Sequence, residues 1–267
     1  MTAAGGLLTA AHPGPTAAVT TVTGLLAVSA GLGAAPAVLV TAAVLTGQLS
    51  VGWGNDLLDA DRDRAVGRLD KPVAAGLVGE RTVGVALALA LIACVPLSLA
   101  AGWRSGVVHL LLVVGAAHAY NLGLKATALS WVPYAVAFGT LPAIAHLAGD
   151  DPAWPPWWML AAGAALGVGA HVLNALPDLA DDLRTGVRGM PHRIGPTLAR
   201  PLAAALLVAA SLLAALGPEG SPPGWVWAAL VVVVALAATA LAGSGRGPFR
   251  AAMAIALVDV ALLVAAG

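Results

Sequence analysis

The stretch Pro36–Asp63, PAVLVTAAVLTGQLSVGWGNDLLDADRD, carries no charge as far as Gly54 and then holds four aspartates. Its first part matches the roughly 20 apolar residues with which a helix crosses a bilayer core, and its second part carries acids that belong at a membrane surface. The rest of the chain follows the same plan. Of its 267 residues, 60% are hydrophobic and 10% charged, a composition suited to lipid and not to a soluble domain. Nine apolar stretches, near 15–33, 36–53, 83–102, 106–123, 127–148, 156–174, 198–217, 223–243 and 248–266, predict an all-α membrane protein, a bundle of about nine transmembrane helices. The Gly31–Pro36 and Gly243–Pro248 turns predict tight hairpins, and the many glycines and alanines allow close helix approach in lipid.

Short cytoplasmic loops retain an excess of lysine and arginine. With the N-terminus cytoplasmic, nine spans put Arg62, Arg64, Arg68, Lys71, Arg81, Lys125, Arg184, Arg188, Arg193, Arg200, Arg246 and Arg250 on that side and leave only Arg104 opposite. A multi-pass protein of the plasma membrane is expected, with its C-terminus outside. Met1–Pro15 lacks the basic residues of a signal peptide, so the first span should be retained as a helix. A neutral formal charge and the lack of a basic run argue against a nucleic-acid partner. The single cysteine, Cys94, excludes an intramolecular disulfide and a cysteine zinc site.

Two loops, about 54–82 and 174–200, are too long for tight turns; both fall on the cytoplasmic face and together hold nine of the thirteen carboxylates. In the first, Asp56, Asp59 and Asp63 are spaced by three and four, which puts them on one helical face beside Asn55. Like charges stacked this way repel, so a counter-cation is expected. Asp61 and Arg62 lie around the helix and read as solvated. In the second loop, Asn174, Asp178 and Asp182 recur every four residues, and Pro177 predicts either a bend or a new helix starting near Asp178. Oxygen-only ligands select hard cations, and Mg2+ binds through one or two carboxylates plus substrate phosphates. Two such sets imply a diphosphate between them, with Arg68, Lys71, Lys125, Arg184, Arg188 and Arg193 as partners for its oxygens. A diphosphate head with an apolar tail among helices is a prenyl diphosphate. Its ionisation leaves an allylic cation to be shielded from water, and needs no protein nucleophile.

Asn55-Asp56-Leu-Leu-Asp59-Ala-Asp61-Arg-Asp63, continuing to Lys71-Pro72 and Gly76, resembles the NDxxDxxxD motif of the UbiA family of intramembrane prenyltransferases. Asp178-Leu-Ala-Asp181-Asp182-Leu-Arg-Thr-Gly186, followed by Met190-Pro191 and Gly195, resembles that family's DxxxDxxxG segment. The resemblance implies a nine-helix bundle over the whole chain, so residues 1–267 are expected to form one polytopic prenyltransferase domain. It implies Asp56, Asp59, Asp63, Asp178 and Asp182 as catalytic Mg2+-diphosphate ligands, with Asn55 as a polar member of the first site. Tyr120, Asn121 and Lys125 resemble the family's residues after the fourth helix and are expected beside the diphosphate, as are Arg68, Lys71 and Asn174 by position. The implied activity is Mg2+-dependent transfer of a prenyl group to an acceptor, most often aromatic. The same ionisation without an acceptor would make a terpene cyclase. An ion-coupled transporter is the alternative from another class; carboxylates at one face, with no inverted repeat, oppose it. The DGxxAR run of CDP-alcohol phosphatidyltransferases is missing, since Ala60 follows Asp59.

Polar groups within spans are costly in lipid. His109, His118, His146 and His171 share no metal-binding spacing and read as hydrogen-bonded bundle residues, with His171 best placed to reach substrate. Asp259 has no partner in its own helix, since Arg250 lies about 13 Å along the axis. Trp154, Trp157 and Trp158 read as an interfacial belt, and Trp53 and Trp131 as candidates to shield a cation through their ring faces. Asp61, Asp70, Asp181 and Glu80 fall outside the shared spacing and read as solvated or salt-bridged.

Overall fold

The computed structural model describes residues 2–266. The helices, in chain order, are α1 (Ala3–Ala10), α2 (Pro13–Ser29), α3 (Ala34–Leu58), α4 (Ala60–Ala65), α5 (Glu80–Ala100), α6 (Trp103–Val108), α7 (Gly115–Asn121), α8 (Val132–His146), α9 (Trp157–Ala175), α10 (Leu179–Arg184), α11 (Met190–Leu216), α12 (Gly224–Ala242) and α13 (Gly247–Ala266). A π-helical segment, His109–Val114, joins α6 to α7 as one pass. Among the described residues there are therefore nine long passes, α2, α3, α5, α6 to α7, α8, α9, α11, α12 and α13, and no strand. Five stretches, α3, α5, α9 running on into α10, α11 and α13, are individually long and apolar enough to cross a membrane.

The fit to the expected spans is close, with three differences. α1 was not anticipated; Thr2 caps it by accepting the Gly5 N–H at 3.2 Å. α1 docks on the end of α3, where the Trp53 indole donates to the Leu7 carbonyl at 2.9 Å. Gly52 makes this docking possible, because a Cβ there would lie 2.5 Å from the Ala11 carbonyl oxygen. α11 begins at Met190 instead of near 198, since the chain is already helical before a kink at Gly195, whose φ of 73° only glycine takes without strain. α8 starts at Val132 instead of 127, after a turn through Thr127–Trp131.

The bundle core is largely alanine with valine and leucine, including Val40, Val44, Ala143, Ala203, Leu207 and Ala210. In lipid, where apolar transfer drives little association, small side chains that let backbones touch do this work. α8 and α9 show it best. Gly163 and Gly167 face α8, and a Cβ on Gly167 would come 2.6 Å from the Tyr134 carbonyl. That approach brings Tyr134 and Phe138 beside α9. α13 packs against α2, α9 and α11, and between α2, α8, α9 and α13 runs a cavity of about 630 Å³. Its polar end lies where α3 gives way to α4 and α9 to α10.

Candidate functional site

The first aspartate set is not on one continuous helix. α3 stops at Leu58, and Asp59 sits at the joint with α4. Asp56 and Asp59 reach the cavity, whereas Asp63 is buried outside its lining. Asp56 Oδ2 accepts the Val73 N–H at 3.1 Å, and Oδ1, 3.6 Å from Lys71 Nζ, has no hydrogen-bond partner. Asp59 pairs with Lys125 and with Arg62 at 3.0 Å, and accepts the Asn55 Nδ2–H at 3.0 Å. Neither oxygen of Asp63 has a hydrogen bond; Arg62, 3.8 Å away, is its nearest ion-pair partner. Burial holds the Asp63 carboxyl above the ordinary carboxylate range, against the pull of Lys71 and Arg62.

The joint at Asp59 also corrects the reading of Arg62 as solvated. Its guanidinium turns inward, bonds Asp59 and comes within 3.9 Å of Asp182, so it bridges the two aspartate sets. Asp61, its neighbour, is almost fully exposed and pairs with Arg64.

The second set hangs on less structure. Leu176–Asp178 form a single 3₁₀ turn before α10, so of the two outcomes expected at Pro177, a bend or a new helix, the chain takes the new helix. Asp178 lies 3.4 Å from Arg68, and Asp182 lies 3.3 Å from His192. Asn174, Asp178 and Asp182 all line the cavity. His192 was missed from sequence, where nothing in its local pattern links it to an aspartate ten residues earlier across a turn.

Cations close the rim. Lys71 donates to Asn55 Oδ1 at 3.3 Å and faces His12 Nε2 at 3.2 Å. Burial lowers the Lys125 ammonium below the ordinary lysine range, opposed by Asp59. Arg68 grips Asp70 through two bonds, which holds that carboxyl below its ordinary range, and Arg246 reaches Asp70 at 3.3 Å. Asn121 accepts from Asn55 at 3.2 Å and donates to the Val51 carbonyl at 3.1 Å. Arg184, Arg188 and Arg193 stay off the cavity lining; Arg184 pairs with Asp181 and Arg193 with the Arg188 carbonyl. Asp70, Asp181 and Glu80 are salt-bridged, as their spacing suggested.

Below the rim stands an aromatic wall. The Tyr120 ring meets Tyr134 edge-on at 5.2 Å, and Tyr134 stacks on Phe138 at 6.0 Å with 4° between planes. All three line the cavity. Tyr134 and Phe138 were not picked out from sequence, although with Leu141 they repeat at helical spacing along α8. The tryptophans proposed for this task are elsewhere: Trp53 packs under α1 and Trp131 is 39% exposed, both off the lining. His171 also stays off it, behind Tyr134 and hydrogen-bonded to Ser130 at 3.0 Å. His109 and His118 bond Ser98 and Ser50.

The rim therefore combines carboxylates and cations over an apolar channel, and the sequence matches the profile of the UbiA prenyltransferase family across residues 17–263. The chain belongs to that family. It is accordingly an integral membrane protein. Among solved structures, the UbiA fold recurs in the apo form of a UbiA homologue from Aeropyrum pernix K1, 20% identical, with a TM-score of 0.78 over 94% of this chain and 97% of that one. A UbiA homologue from Archaeoglobus fulgidus bound to GPP and Mg2+ is 18% identical, with a TM-score of 0.70 over 98% and 99% of the two chains. Digeranylgeranylglyceryl phosphate synthase is 17% identical, with a TM-score of 0.66 over 100% and 97%. At these identities the likeness concerns the fold. No curated protein matches the sequence.

Proposed function

We propose that this UbiA-family protein is a Mg2+-dependent prenyltransferase acting as one polytopic domain, with its aspartate-rich rim on the cytoplasmic face of the plasma membrane. The observation that carries the reading is the rim itself: two aspartate sets with Arg62, Arg68, Lys71 and Lys125 between them, opening onto an apolar cavity of about 630 Å³. The Archaeoglobus relatives bound to GPP and to DMAPP, each with Mg2+, support the same substrate class.

The donor set fits the cation. Asp56 Oδ1 is buried beside the cavity without a hydrogen bond, with the Lys71 ammonium 3.6 Å away as an ion-pair partner only, so it keeps a free lone pair for a metal ion. Among the described residues no three acidic or imidazole groups converge closely enough to cage an ion alone. Phosphate oxygens would thus complete the coordination, as is usual for Mg2+. Asp56 and Asp59 from the first set and Asp178 and Asp182 from the second would hold it, with Asp63 behind them. When bound, Mg2+ offsets negative charge on the departing diphosphate.

The remaining work falls to the chain. Lys71, Lys125, Arg62 and Arg68 present donors to the diphosphate, and Asn55, Asn121 and Asn174 add neutral ones. The C1–O bond of the prenyl diphosphate breaks with both electrons leaving on oxygen. The Tyr120, Tyr134 and Phe138 faces shield the allylic cation. An aromatic acceptor carbon then bonds C1 and gives its proton up to the released diphosphate, which restores the ring.

Diphosphate release by purified protein in detergent, with Mg2+ or EDTA and with or without aromatic acceptors, tests this. Release that needs both Mg2+ and an acceptor, and that Asp56→Ala and Asp178→Ala abolish or weaken, is expected. Acceptor-independent release would make the protein a cyclase instead.

A further inference from the structure

Asp259 is a carboxylic acid inside the membrane-spanning part of α13, only 7% exposed, with neither oxygen hydrogen-bonded. The Ser211 hydroxyl of α11 is packed against the carboxyl as its polar neighbour, and it already donates to the Leu207 carbonyl at 3.2 Å. Asp259 also lines the cavity. It belongs to a stripe, Phe249, Ala252, Ala256, Asp259 and Leu263, in which each member lines the cavity at steps of three or four residues. One face of α13 is thus a channel wall from end to end. The start of that wall is at the charged rim, because Arg246, just before α13, is paired with Asp70. The far end is apolar except for this one carboxyl.

On the reading that the cavity holds a prenyl diphosphate with its head at the rim, we infer that Asp259 is a polar collar that limits prenyl chain length. From Gly247 to Asp259 the helix rises about 18 Å. An extended isoprene unit repeats four carbon–carbon bonds of about 1.5 Å, shortened by their zigzag to about 5 Å. Once the diphosphate occupies the head of the channel, the carboxyl meets the chain at about its third unit. An alkyl chain laid across this buried carboxyl cannot satisfy it as water would, with Ser211 its one polar neighbour in α11, so passage is penalised. Chains of two units stop short of the collar, and chains of four must cross it to reach the space beside Leu263.

The test measures stabilisation of the intact purified protein against heat by prenyl diphosphates of two, three and four units, with Mg2+ in detergent, for the wild type, Asp259→Asn and Asp259→Leu. Asparagine keeps size and polarity, and leucine replaces the polarity with apolar atoms without opening room. The expected result is that the wild type and Asp259→Asn prefer two units, whereas in Asp259→Leu the affinity ratio of four units to two rises about tenfold. An unchanged ratio in an Asp259→Leu protein that still binds the two-unit compound overturns the collar and leaves the proposed function standing. No Mg2+-dependent stabilisation of the wild type by any chain overturns the proposed function and the collar together.

Discussion

The two aspartate sets look equivalent in sequence and are built very differently. The Asp56 side chain is 1% exposed and that of Asp59 7%, at the end of a helix of 25 residues; a backbone N–H holds Asp56 and side-chain donors hold Asp59. The Asp178 side chain is 36% exposed, on a 3₁₀ turn followed by a helix of six residues. One set is fixed by buried contacts, and the other is held on a shorter, more exposed segment. Preorganised dipoles and charges contribute most to the transition state because they need no rearrangement when charge develops. Adjustable ones are better suited to capture and release of substrate.

The largest expected effect breaks or upholds that comparison directly. Asp56→Ala should lower kcat for prenyl transfer by about 10²–10³-fold, the usual cost of one preorganised electrostatic partner. It should also cost stability, about 1–3 kcal/mol, because the Val73 N–H loses its buried acceptor and the Lys71 ammonium a buried counter-charge. Asp178→Ala should act mainly on KM for the prenyl diphosphate, by about tenfold, with a stability loss of about 0–1 kcal/mol, because its pair with Arg68 is partly exposed and Arg68 keeps Asp70. If steady-state kinetics found equal losses of kcat in both variants, the distinction between a fixed and a more exposed set would fail.

His12 sharpens the same contrast on the side of the fixed set. It occupies a left-handed backbone conformation, φ 54°, between α1 and α2, and lines the cavity beside Lys71. Burial first, and Lys71 second, lower its pKa to about 3. Between about pH 6.5 and that value the unfolded chain binds a proton there that the folded one refuses, so stability is lost as pH falls through this window. The thermal midpoint in detergent should therefore drop on acidification across that range, and His12→Gln should flatten the decline. The smallest effect is expected from Arg184→Ala. Its exposed pair with Asp181 lies off the cavity, so activity should be unchanged and stability within about 0.5 kcal/mol. A large loss of activity would mean that α10 closes onto the substrate.

Much of the architecture was legible along the chain because it rests on local signals. The long apolar runs became about nine helical passes among the described residues, Pro177 fell in the turn before a new helix, and Gly31–Pro36 and Gly243–Pro248 became hairpin turns. Individual orientations were less legible. Asp63 shares the spacing of Asp56 and Asp59, yet the joint at Asp59 turns it out of the cavity lining and turns Arg62 in. Trp53 reads in sequence as a candidate to shield a cation, and α1, which carries no charge or motif, captures its indole instead.

By itself the sequence determined the solvent in which this protein folds, the approximate number of its passes, its family motifs and the two acidic segments. Those follow from hydropathy and from spacing within one helix, and both are local. Only the tertiary structure decided which carboxylates face the channel, that Tyr120, Tyr134 and Phe138 form its wall, and that Asp259 stands near its far end. These depend on how each helix is rotated against its neighbours. In lipid that rotation is set by where small residues such as Gly52, Gly163 and Gly167 let two backbones touch, a property of pairs of helices that no single stretch of chain contains.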